Sequence, residues 1–310
     1  MAKLAFVFPG QGSQSVGMLA DLAEKYEIIT ETFNRVSEKL GYDVWELVQH
    51  GPEQKLNQTE HTQVAMLTAN VALFRLIQQI KPFQTEIMAG HSLGEYAALV
   101  CAGAITLEEA ALLVARRGQT MQQTIPLGQG AMAAIVGFDD GQVQTLCKQA
   151  STVSEQVTPA NYNAIGQVVI AGHTSAVERA VQAAEEQGAR LAKIIPVSVP
   201  CHCPLLADAA EIYEQYLAQV DFKVPETAVV SNVDLSIYNS PEQIRTLLKQ
   251  QLYKPVRWVE TIQLIKSRGF DAIIECGPGK VLTGLVKRID KTMSALSVCD
   301  NVTLDQLRGL

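Results

Sequence analysis

The sequence predicts an α/β protein in which helices cover a mostly parallel sheet, with a small second unit inserted into the chain. Two observations predict this fold class. Outside residues 129–197, short apolar runs of strand length alternate with longer runs of helix length. Within residues 129–197 the order becomes strand, helix, strand, strand, helix, strand, which is the ferredoxin-like βαββαβ unit. We therefore expect a large domain from residues 1–128 and 198–310, and a ferredoxin-like subdomain at 129–197.

The composition is that of a globular protein and argues against two classes of partner. The 310 residues are 47% hydrophobic and 18% charged, which is enough for a large core. A net charge of −7 with scattered Lys and Arg argues against nucleic-acid binding. No run of about 20 apolar residues could span a membrane, and the first apolar run is too short for a signal peptide. Six cysteines without framework spacing are expected to be reduced, which predicts a cytoplasmic protein.

The first strand is expected at residues 3–8, where Pro9 and a glycine-rich turn at 10–14 end an apolar run. The turn looks like the start of a dinucleotide fingerprint. However, Ser15 stands at the third glycine, and no second strand ending in an acidic residue follows about 20 positions later. Such a turn after the first strand could instead present a backbone N–H to a developing oxyanion.

A G-x-S-x-G motif at residues 90–94 is the strongest local signal for chemistry. An apolar run at 86–89 precedes it and a helix-favouring run at 95–99 follows, which predicts a sharp turn between a strand and a helix. The two glycines lack Cβ atoms, so neighbouring segments can pass close to the turn. The N-terminus of the helix favours negative charge nearby. We interpret Ser92 as a nucleophile on a hydrolase-like sheet, with a purely structural turn as the alternative.

The remaining elements follow from apolar spacing, capping residues and helix breakers. Apolar residues three or four apart predict a long amphipathic helix at 61–80, which Pro82 ends. Thr106 starts a capping box for a helix to about residue 123, and Ser175 with Glu178 is expected to cap another. Further helices are expected at 32–40, 139–150, 175–187, 205–218, from about 240, at 258–267 and at 281–289, and strands at 131–136, 157–162, 167–171, 190–197, 228–231, 270–276 and 293–298.

A serine nucleophile at neutral pH needs a general base, and the chain has five histidines. His91 adjoins the serine, but neighbouring positions in such a turn point in different directions, so it is expected to support the site. His50, His61 and His173 lie in polar or helical contexts and are expected at the surface. His202 lies in a loop bounded by prolines far along the chain, where a partner from a different element is expected. We favour His202 as the base.

Three other patterns leave alternatives open. Cys201 and Cys203 flank the histidine, but three consecutive residues cannot wrap one tetrahedral zinc without strain, so no metal site is expected. Residues 277–280 look like a P-loop without its spacing and are interpreted as a turn between a strand and a helix. Arg117, in the middle of a helix, is either a surface charge or a bidentate clamp for a substrate carboxylate.

Six ordered motifs carry a family resemblance that extends over essentially the whole chain. The sequence resembles the malonyl-CoA:acyl carrier protein transacylases of type II fatty acid synthesis. The motifs are GQGSQ at 10–14, GHSLGE at 90–95, Arg117-Gly118, PCHCPLL at 200–206, QLYKPVRW at 251–258 and GPGKVLTGLVKRI at 277–289. One local departure is Cys201, where members of the family commonly have Ser.

The resemblance implies a ping-pong transfer of malonyl from coenzyme A to the phosphopantetheine thiol of acyl carrier protein, with no metal or other cofactor. Ser92 would carry the malonyl group, His202 would act as the base, and Gln251 would orient the imidazole in place of the acid of an ordinary triad. The backbone N–H groups of Gln11 and Leu93 would stabilise the oxyanion.

The resemblance also assigns substrate contacts. Arg117 would clamp the malonyl carboxylate, with His91 and Gln11 also lining the substrate site, and Leu93 stands where methylmalonyl-selecting relatives often carry Gln. The acidic carrier protein would meet a local basic patch. Candidates for this patch are Lys280, Lys287 and Arg288, with Arg190 and Lys193 as further candidates.

Motifs alone leave related activities open. The alternatives are a trans-acting polyketide acyltransferase, the transferase subunit of malonate decarboxylase, and a serine hydrolase on the same scaffold. A carrier-binding scaffold without chemistry is a further alternative, which the presence of Ser92, His202 and Gln251 disfavours.

Overall fold

The computed structural model describes residues 3–197 and 199–309. Its strands are β1 (Leu4–Phe8), β2 (Ile87–Gly90), β3 (Gly130–Val136), β4 (Val157–Ala164), β5 (Gln167–His173), β6 (Leu191–Ile195), β7 (Ala228–Val230), β8 (Ala272–Cys276) and β9 (Ser294–Val298). Its α-helices are α1 (Ala20–Ala23), α2 (Glu27–Leu40), α3 (Val44–His50), α4 (Glu53–Leu56), α5 (Thr59–Ile80), α6 (Gly94–Cys101), α7 (Leu107–Thr124), α8 (Asp140–Ala150), α9 (Thr174–Glu186), α10 (Ala207–Leu217), α11 (Pro241–Gln251), α12 (Trp258–Ser267), α13 (Val281–Ile289) and α14 (Asn301–Arg308). A short 3₁₀ helix, Pro204–Leu206, precedes α10.

The large sheet has the strand order β7-β2-β1-β8-β9, and its neighbouring strands pair in parallel. Both faces of its central strand β1 are buried: Phe6 and Phe8 join the core under one layer of helices, and Ala5 and Val7 join the core on the opposite face. Parallel sheets need this double cover because each crossover helix packs on a face of the sheet. The predicted parallel, helix-covered, hydrolase-like sheet is confirmed.

The small sheet has the order β4-β5-β3-β6, and its neighbouring strands pair antiparallel. With α8 and α9 between its strands, it forms the predicted ferredoxin-like βαββαβ unit. The predicted domain boundaries fall in the connections on either side of this unit. Residues 1, 2, 198 and 310, which these domain ranges include, lie outside the described residues.

The structure differs from the sequence predictions mainly in short helices. Helices α1, α3, α4 and α14 were not predicted, because one or two turns give little periodic signal. The predicted cap at Ser175 is wrong: α9 begins one residue earlier, and its N-cap residue His173 makes no side-chain cap bond. The Thr174 hydroxyl at this helix start donates instead to the Gly128 carbonyl, at 2.7 Å.

Within the described ranges, none of the helices has both the length and the apolar content needed to cross a membrane.

Candidate active site

Ser92 lies on the turn between β2 and α6, with a backbone φ of +52°. A non-glycine residue in this left-handed region is strained, and such strain is characteristic of functional turns. The flanking glycines make the turn possible. A Cβ on Gly90 would lie 1.8 Å from the carbonyl carbon of Gly94, and a Cβ on Gly94 would lie 2.0 Å from the carbonyl oxygen of Phe8. No side chain larger than hydrogen fits at either position.

His202 meets this serine from the loop before α10. Its Nε2 lies 2.6 Å from Ser92 Oγ, and its Nδ1 lies 2.7 Å from the backbone carbonyl oxygen of Gln251. Because a carbonyl can only accept, Nδ1 carries the proton and Nε2 is the acceptor that faces the serine hydroxyl. Burial, followed by the positive charge of Arg117, lowers the pKa of His202 to about 3. The imidazole is therefore neutral at physiological pH and able to accept a proton.

Gln251 orients the imidazole with its main chain, whereas its side chain is committed elsewhere. The buried Gln251 Nε2 donates to Glu95 Oε2 at 2.8 Å and to the Ser92 carbonyl at 3.2 Å. Its Oε1 accepts a 3.0 Å bond from Arg117 Nη2. Gln251, which was expected to take the place of the triad acid, therefore bonds His202 through its backbone carbonyl. Its side-chain amide bonds Arg117 instead.

Arg117 is buried in the site, so the surface alternative is wrong. Its side chain leaves α7 with only 2% of its surface exposed, and its guanidinium lies 5.7 Å from the centre of the Tyr96 ring. Arg117 Nε is buried and has no hydrogen-bond partner among the described residues. The adjacent Gly118 explains how α7 comes so close to α5, since a Cβ there would lie 2.6 Å from Glu60 Cα. A buried donor without a partner is suited to a substrate anion.

The turn after β1 lies directly against the serine turn. A Cβ on Gly10 would lie 2.6 Å from the carbonyl oxygen of His91 and 3.7 Å from Leu93 N. Asn70 holds this turn from behind by donating to the Pro9 carbonyl at 2.8 Å. Among the described residues, no acceptor is bonded to the backbone N–H of Gln11 or of Leu93. Both residues border the cavity at Ser92. The stabilisation of an oxyanion by their N–H groups stays a prediction.

These groups share one cavity of about 580 Å³ between the large sheet and the ferredoxin-like subdomain. Both domains also contribute apolar side chains to its lining, and the subdomain adds two asparagines. The large domain contributes Leu93, Val281, Leu282 and Leu285, and the subdomain contributes Met132, Asn161, Asn163, Val169 and Ile195. A cavity of this size can hold an acyl group and an extended thioester arm.

His91 supports the turn and does not contact the serine hydroxyl as a base. Its Nε2 lies 2.7 Å from Asn163 Oδ1, and its ring makes an edge contact with Trp258, with 5.4 Å between ring centres. Burial lowers the pKa of His91, so the ring is neutral. It links the serine turn to strand β4 of the subdomain and borders the cavity.

Two residues of the site were not predicted. Asn232, just after β7, accepts from Ser92 N at 2.7 Å and donates to the Gly90 carbonyl at 2.6 Å. Glu95, in the first turn of α6, is fully buried and accepts from Asn232 N at 3.1 Å and from the Tyr238 hydroxyl. Burial raises the pKa of Glu95 to about 7. The available signals were an acidic residue just after G-x-S-x-G, and an Asn at the carboxyl end of a strand adjacent to β2.

The predicted carrier-binding residues lie at the surface, apart from the catalytic groups. Lys280, Lys287, Arg190 and Lys193 are exposed. Arg288 is also exposed. Its Nη1 donates a hydrogen bond to Gln167 Oε1 in β5, which links α13 to the subdomain.

The thiols of the two cysteines beside His202 contact backbone carbonyl groups. Cys201 Sγ lies 3.6 Å from the Val199 carbonyl oxygen, and Cys203 Sγ lies 3.2 Å from that of Pro200. In the part of the chain that the structure describes, no three His, Cys, Asp or Glu side chains are grouped as metal ligands.

A serine on a strand-to-helix turn, a neutral histidine and free N–H groups define a site for acyl transfer, and comparison with known proteins gives the class. The sequence model of the acyl transferase domain family matches residues 5–305. The chain therefore belongs to the acyl transferase family.

Similar proteins narrow this class. The chain is 50% identical over 295 residues to the malonyl CoA-acyl carrier protein transacylase of Escherichia coli K12, covering 95% of each chain. It superposes with a TM-score of 0.95 on a crystal structure of an acyl carrier protein S-malonyltransferase from Vibrio cholerae, at 51% identity over 99% of this chain and 100% of the other. Within the acyl transferases, the chain belongs to the malonyl CoA-acyl carrier protein transacylase family.

A third relative is seen together with its carrier protein. It is a malonyl-transacylase in complex with a holo acyl-carrier protein of a type II polyketide synthase. The TM-score is 0.97 at 48% identity, and the match covers all of both chains.

Proposed function

We propose that this chain transfers the malonyl group from malonyl-CoA to the phosphopantetheine thiol of acyl carrier protein, through a malonyl-Ser92 intermediate, and so supplies malonyl units for fatty acid elongation. The observation that carries the proposal is one cavity holding Ser92 Oγ, 2.6 Å from His202 Nε2, and the buried Arg117. A serine nucleophile, its base and a cation for the acyl carboxylate are the groups that this reaction requires.

In the first half-reaction, His202 Nε2 takes the proton of the Ser92 hydroxyl as Oγ attacks the thioester carbonyl of malonyl-CoA. The carbonyl oxygen becomes an oxyanion, which the N–H groups of Gln11 and Leu93 stabilise together with the N-terminus of α6. The tetrahedral intermediate then collapses, the carbon–sulfur bond breaks, and the coenzyme A thiolate takes the proton from His202. The products are malonyl-Ser92 and free coenzyme A.

The second half-reaction repeats these steps in reverse order with a different thiol. His202 takes the proton of the phosphopantetheine thiol, and the resulting thiolate attacks the malonyl-Ser92 carbonyl. The same two N–H groups stabilise the oxyanion, and Ser92 Oγ leaves with the proton from His202. Protons and electron pairs balance without a redox partner, so we propose that the reaction needs no metal or other cofactor.

Arg117 supplies the proposed choice of acyl group. Its unpartnered Nε and its Nη groups can form charge-assisted hydrogen bonds with the malonyl carboxylate. Acetyl has no carboxylate, so the buried guanidinium would keep an unsatisfied donor, which costs a few kcal/mol.

For the carrier protein, the relative solved with a holo acyl-carrier protein supports the same type of partner here. We propose that Lys280, Lys287 and Arg288 contribute to its docking surface, with Arg190 and Lys193 on the subdomain side. We also propose a cytoplasmic location. In its favour, the cysteines at 101, 147, 201, 203, 276 and 299, all within the described residues, are free thiols.

The test is a competition for the serine. The protein is mixed with equal malonyl-CoA, methylmalonyl-CoA and acetyl-CoA, and its intact mass is measured. We expect a malonyl adduct to dominate in the native protein and to be absent from Ser92→Ala. An adduct that persists in Ser92→Ala would contradict the assigned nucleophile, and no adduct at all would overturn the proposed function.

A further inference from the structure

The side chain of Gln251 lies between the buried Arg117 guanidinium and the buried Glu95 carboxyl group. On one side its Oε1 accepts from Arg117 Nη2 at 3.0 Å, and on the other its Nε2 donates to Glu95 Oε2 at 2.8 Å. Gln251 and Glu95 are fully buried, and Arg117 is 2% exposed, so water screens these interactions weakly.

The orientation of this amide is determined by its neighbours. In the opposite orientation, the NH₂ group would face the Arg117 guanidinium, and the carbonyl would face the Glu95 carboxylate and the Ser92 carbonyl, both of which are acceptors. Glu95 is itself held by Asn232 N and by the Tyr238 hydroxyl. The amide carbonyl is therefore kept toward the arginine.

The imidazole does not need this side chain. His202 Nδ1 is bonded to the backbone carbonyl of Gln251, and no bond joins the Gln251 amide to His202 among the described residues. A neutral partner leaves the charge of Arg117 available, and Arg117 Nε remains without a partner among those residues. A carboxylate at the same place would form an ion pair with the guanidinium and occupy it.

We propose that the Gln251 side chain is a positioning residue for acyl-group selection: it orients Arg117 by a hydrogen bond and, being neutral, leaves the guanidinium charge to the substrate carboxylate. Gln251 thus has two separate roles, with its main chain serving His202 and its side chain serving Arg117. The inference rests on the proposed malonyl transfer.

The main test is Gln251→Glu made together with Glu95→Gln, with Glu95→Gln alone as the reference, because the second oxygen of the new carboxylate then faces an amide in place of the Glu95 carboxyl. The Gln251 change is nearly isosteric and keeps the backbone carbonyl that bonds His202. The rates of acyl-enzyme formation from malonyl-CoA and from acetyl-CoA are measured separately by intact mass. We expect malonyl loading to fall by about 100-fold, because the introduced carboxylate pairs with Arg117, while acetyl loading changes by less than about threefold. The ratio of the two rates is the readout, since a merely structural defect lowers both rates together.

A second variant and a control cover misfolding and general charge effects. Gln251→Met removes the bond to Arg117 without adding charge and should lower the malonyl-to-acetyl ratio by about tenfold. Gln250→Glu adds the same negative charge one residue earlier. Because the Gln250 side chain bonds Lys254 Nζ at 2.7 Å, this control should leave the ratio unchanged. Thermal unfolding of each variant shows whether it is folded.

The outcomes separate the inference from the proposed function. If the native protein loads no malonyl on Ser92, the proposed function fails. If the native protein loads malonyl, the proposed function stands. The inference is overturned if both Gln251 variants keep the malonyl-to-acetyl ratio of the native protein, or if they lower the malonyl and acetyl loading rates equally.

Discussion

At the scale of single residues, the environment of His202 determines whether Ser92 can react. The imidazole accepts a proton only when it is neutral, and burial with the nearby Arg117 charge keeps its pKa far below neutrality. The backbone carbonyl of Gln251 fixes the tautomer without adding a negative charge. In the proposed function, a main-chain acceptor at the place of the carboxylate of an ordinary triad leaves the Arg117 charge free for the substrate.

Arg117→Lys tests the clamp at this scale. Lysine keeps a positive charge but lacks the planar fork that can bind a carboxylate with two hydrogen bonds. We expect kcat/KM for malonyl-CoA to fall by about 10- to 100-fold, with a smaller change for acetyl-CoA, because only malonyl uses the fork. Steady-state kinetics with both thioesters measures this. An unchanged kcat/KM for malonyl-CoA would contradict the clamp. Full malonyl loading in Arg117→Ala, with free malonate as the main product, would favour a hydrolase.

Glu95→Gln tests the buried carboxyl through the pH dependence of stability. The pKa of Glu95 is about 7 in the folded protein, against 4.5 for an ordinary Glu, so the folded state binds the proton more tightly. As pH rises from 4.5 to 7, the free energy of unfolding of the native protein therefore falls by up to about 3 kcal/mol. The Gln variant has no group that titrates at this position, so it does not show this loss. Urea unfolding at pH 5 and pH 8 should show the variant relatively more stable at pH 8. The opposite trend would mean that the Glu95 charge is stabilised in the fold.

At the scale of elements, the serine turn depends on how closely β1, β2 and α6 approach one another. Gly94 in the first turn of α6 lies against the end of β1, where a Cβ would be 2.0 Å from the Phe8 carbonyl oxygen. The backbone of β1 cannot shift easily to relieve such a contact, because β1 is the central strand of the large sheet and is hydrogen-bonded to a neighbouring strand on both sides. The geometry of the turn is therefore set by backbone contacts.

Gly94→Ala should destabilise the protein by roughly 3 kcal/mol and abolish malonyl loading, since the clash displaces the turn that holds Ser92. The matched control is Gly284→Ala in the middle of α13, where a Cβ would meet nothing within 4 Å. That change should stabilise the protein by about 0.5–1 kcal/mol through helix propensity. Thermal unfolding of both variants decides this, and equal effects would show that the contact with Phe8 is unimportant.

Local patterns predicted the elements that carry a long periodic signal or a sharp boundary. Pro9, Gly90 and Thr106 placed β1, the serine turn and α7 within one or two residues. Helix α14 was missed, although its N-cap Asp300 and Thr303 make a reciprocal capping pair, because it has only two turns. Capping signals alone do not tell a short helix from a turn.

The residues of the candidate site that belong to a short sequence motif or a recognisable loop could be predicted from the sequence, whereas contacts between distant segments could not. Ser92 came from a motif, and His202 came from the small number of histidines and a loop bounded by prolines. The link between Asn232 and Ser92 joins positions 140 residues apart and exists only because β7 pairs with β2. The separate roles of the Gln251 main chain and side chain also depend on the fold, because sequence cannot show which group of a residue faces which partner.

At the scale of the whole molecule, the cavity is built by two sheets that the chain brings together. Tyr162 N in β4 donates to the Val256 carbonyl at 3.0 Å, and Val256 N donates to the Ala160 carbonyl at 2.9 Å, so the subdomain is joined to the large domain by main-chain bonds. His91 and Asn163 add a side-chain link beside the serine. The exposed basic residues lie on both of the domains that form the cavity.

Lys287→Glu tests the docking of the carrier protein. Reversing an exposed charge should raise the apparent KM for an acidic carrier protein by about 3- to 10-fold and leave the KM for malonyl-CoA unchanged. The effect should shrink at high salt because the charges are exposed. The control is Lys39→Glu on α2. None of the described residues of α2 lines the cavity, so this charge reversal should leave both KM values unchanged. Equal changes for both substrates, or none, would contradict the assignment.

The most direct test of the account follows the acyl group itself. Malonyl-enzyme is prepared with labelled malonyl-CoA, separated from free coenzyme A, and mixed with either holo acyl carrier protein or buffer. If Ser92 and His202 form the centre of a transferase, the label moves to the carrier thiol far faster than it appears as free malonate, and Ser92→Ala never acquires it. Release of the label as malonate at the same rate with and without the carrier protein would contradict the central claim.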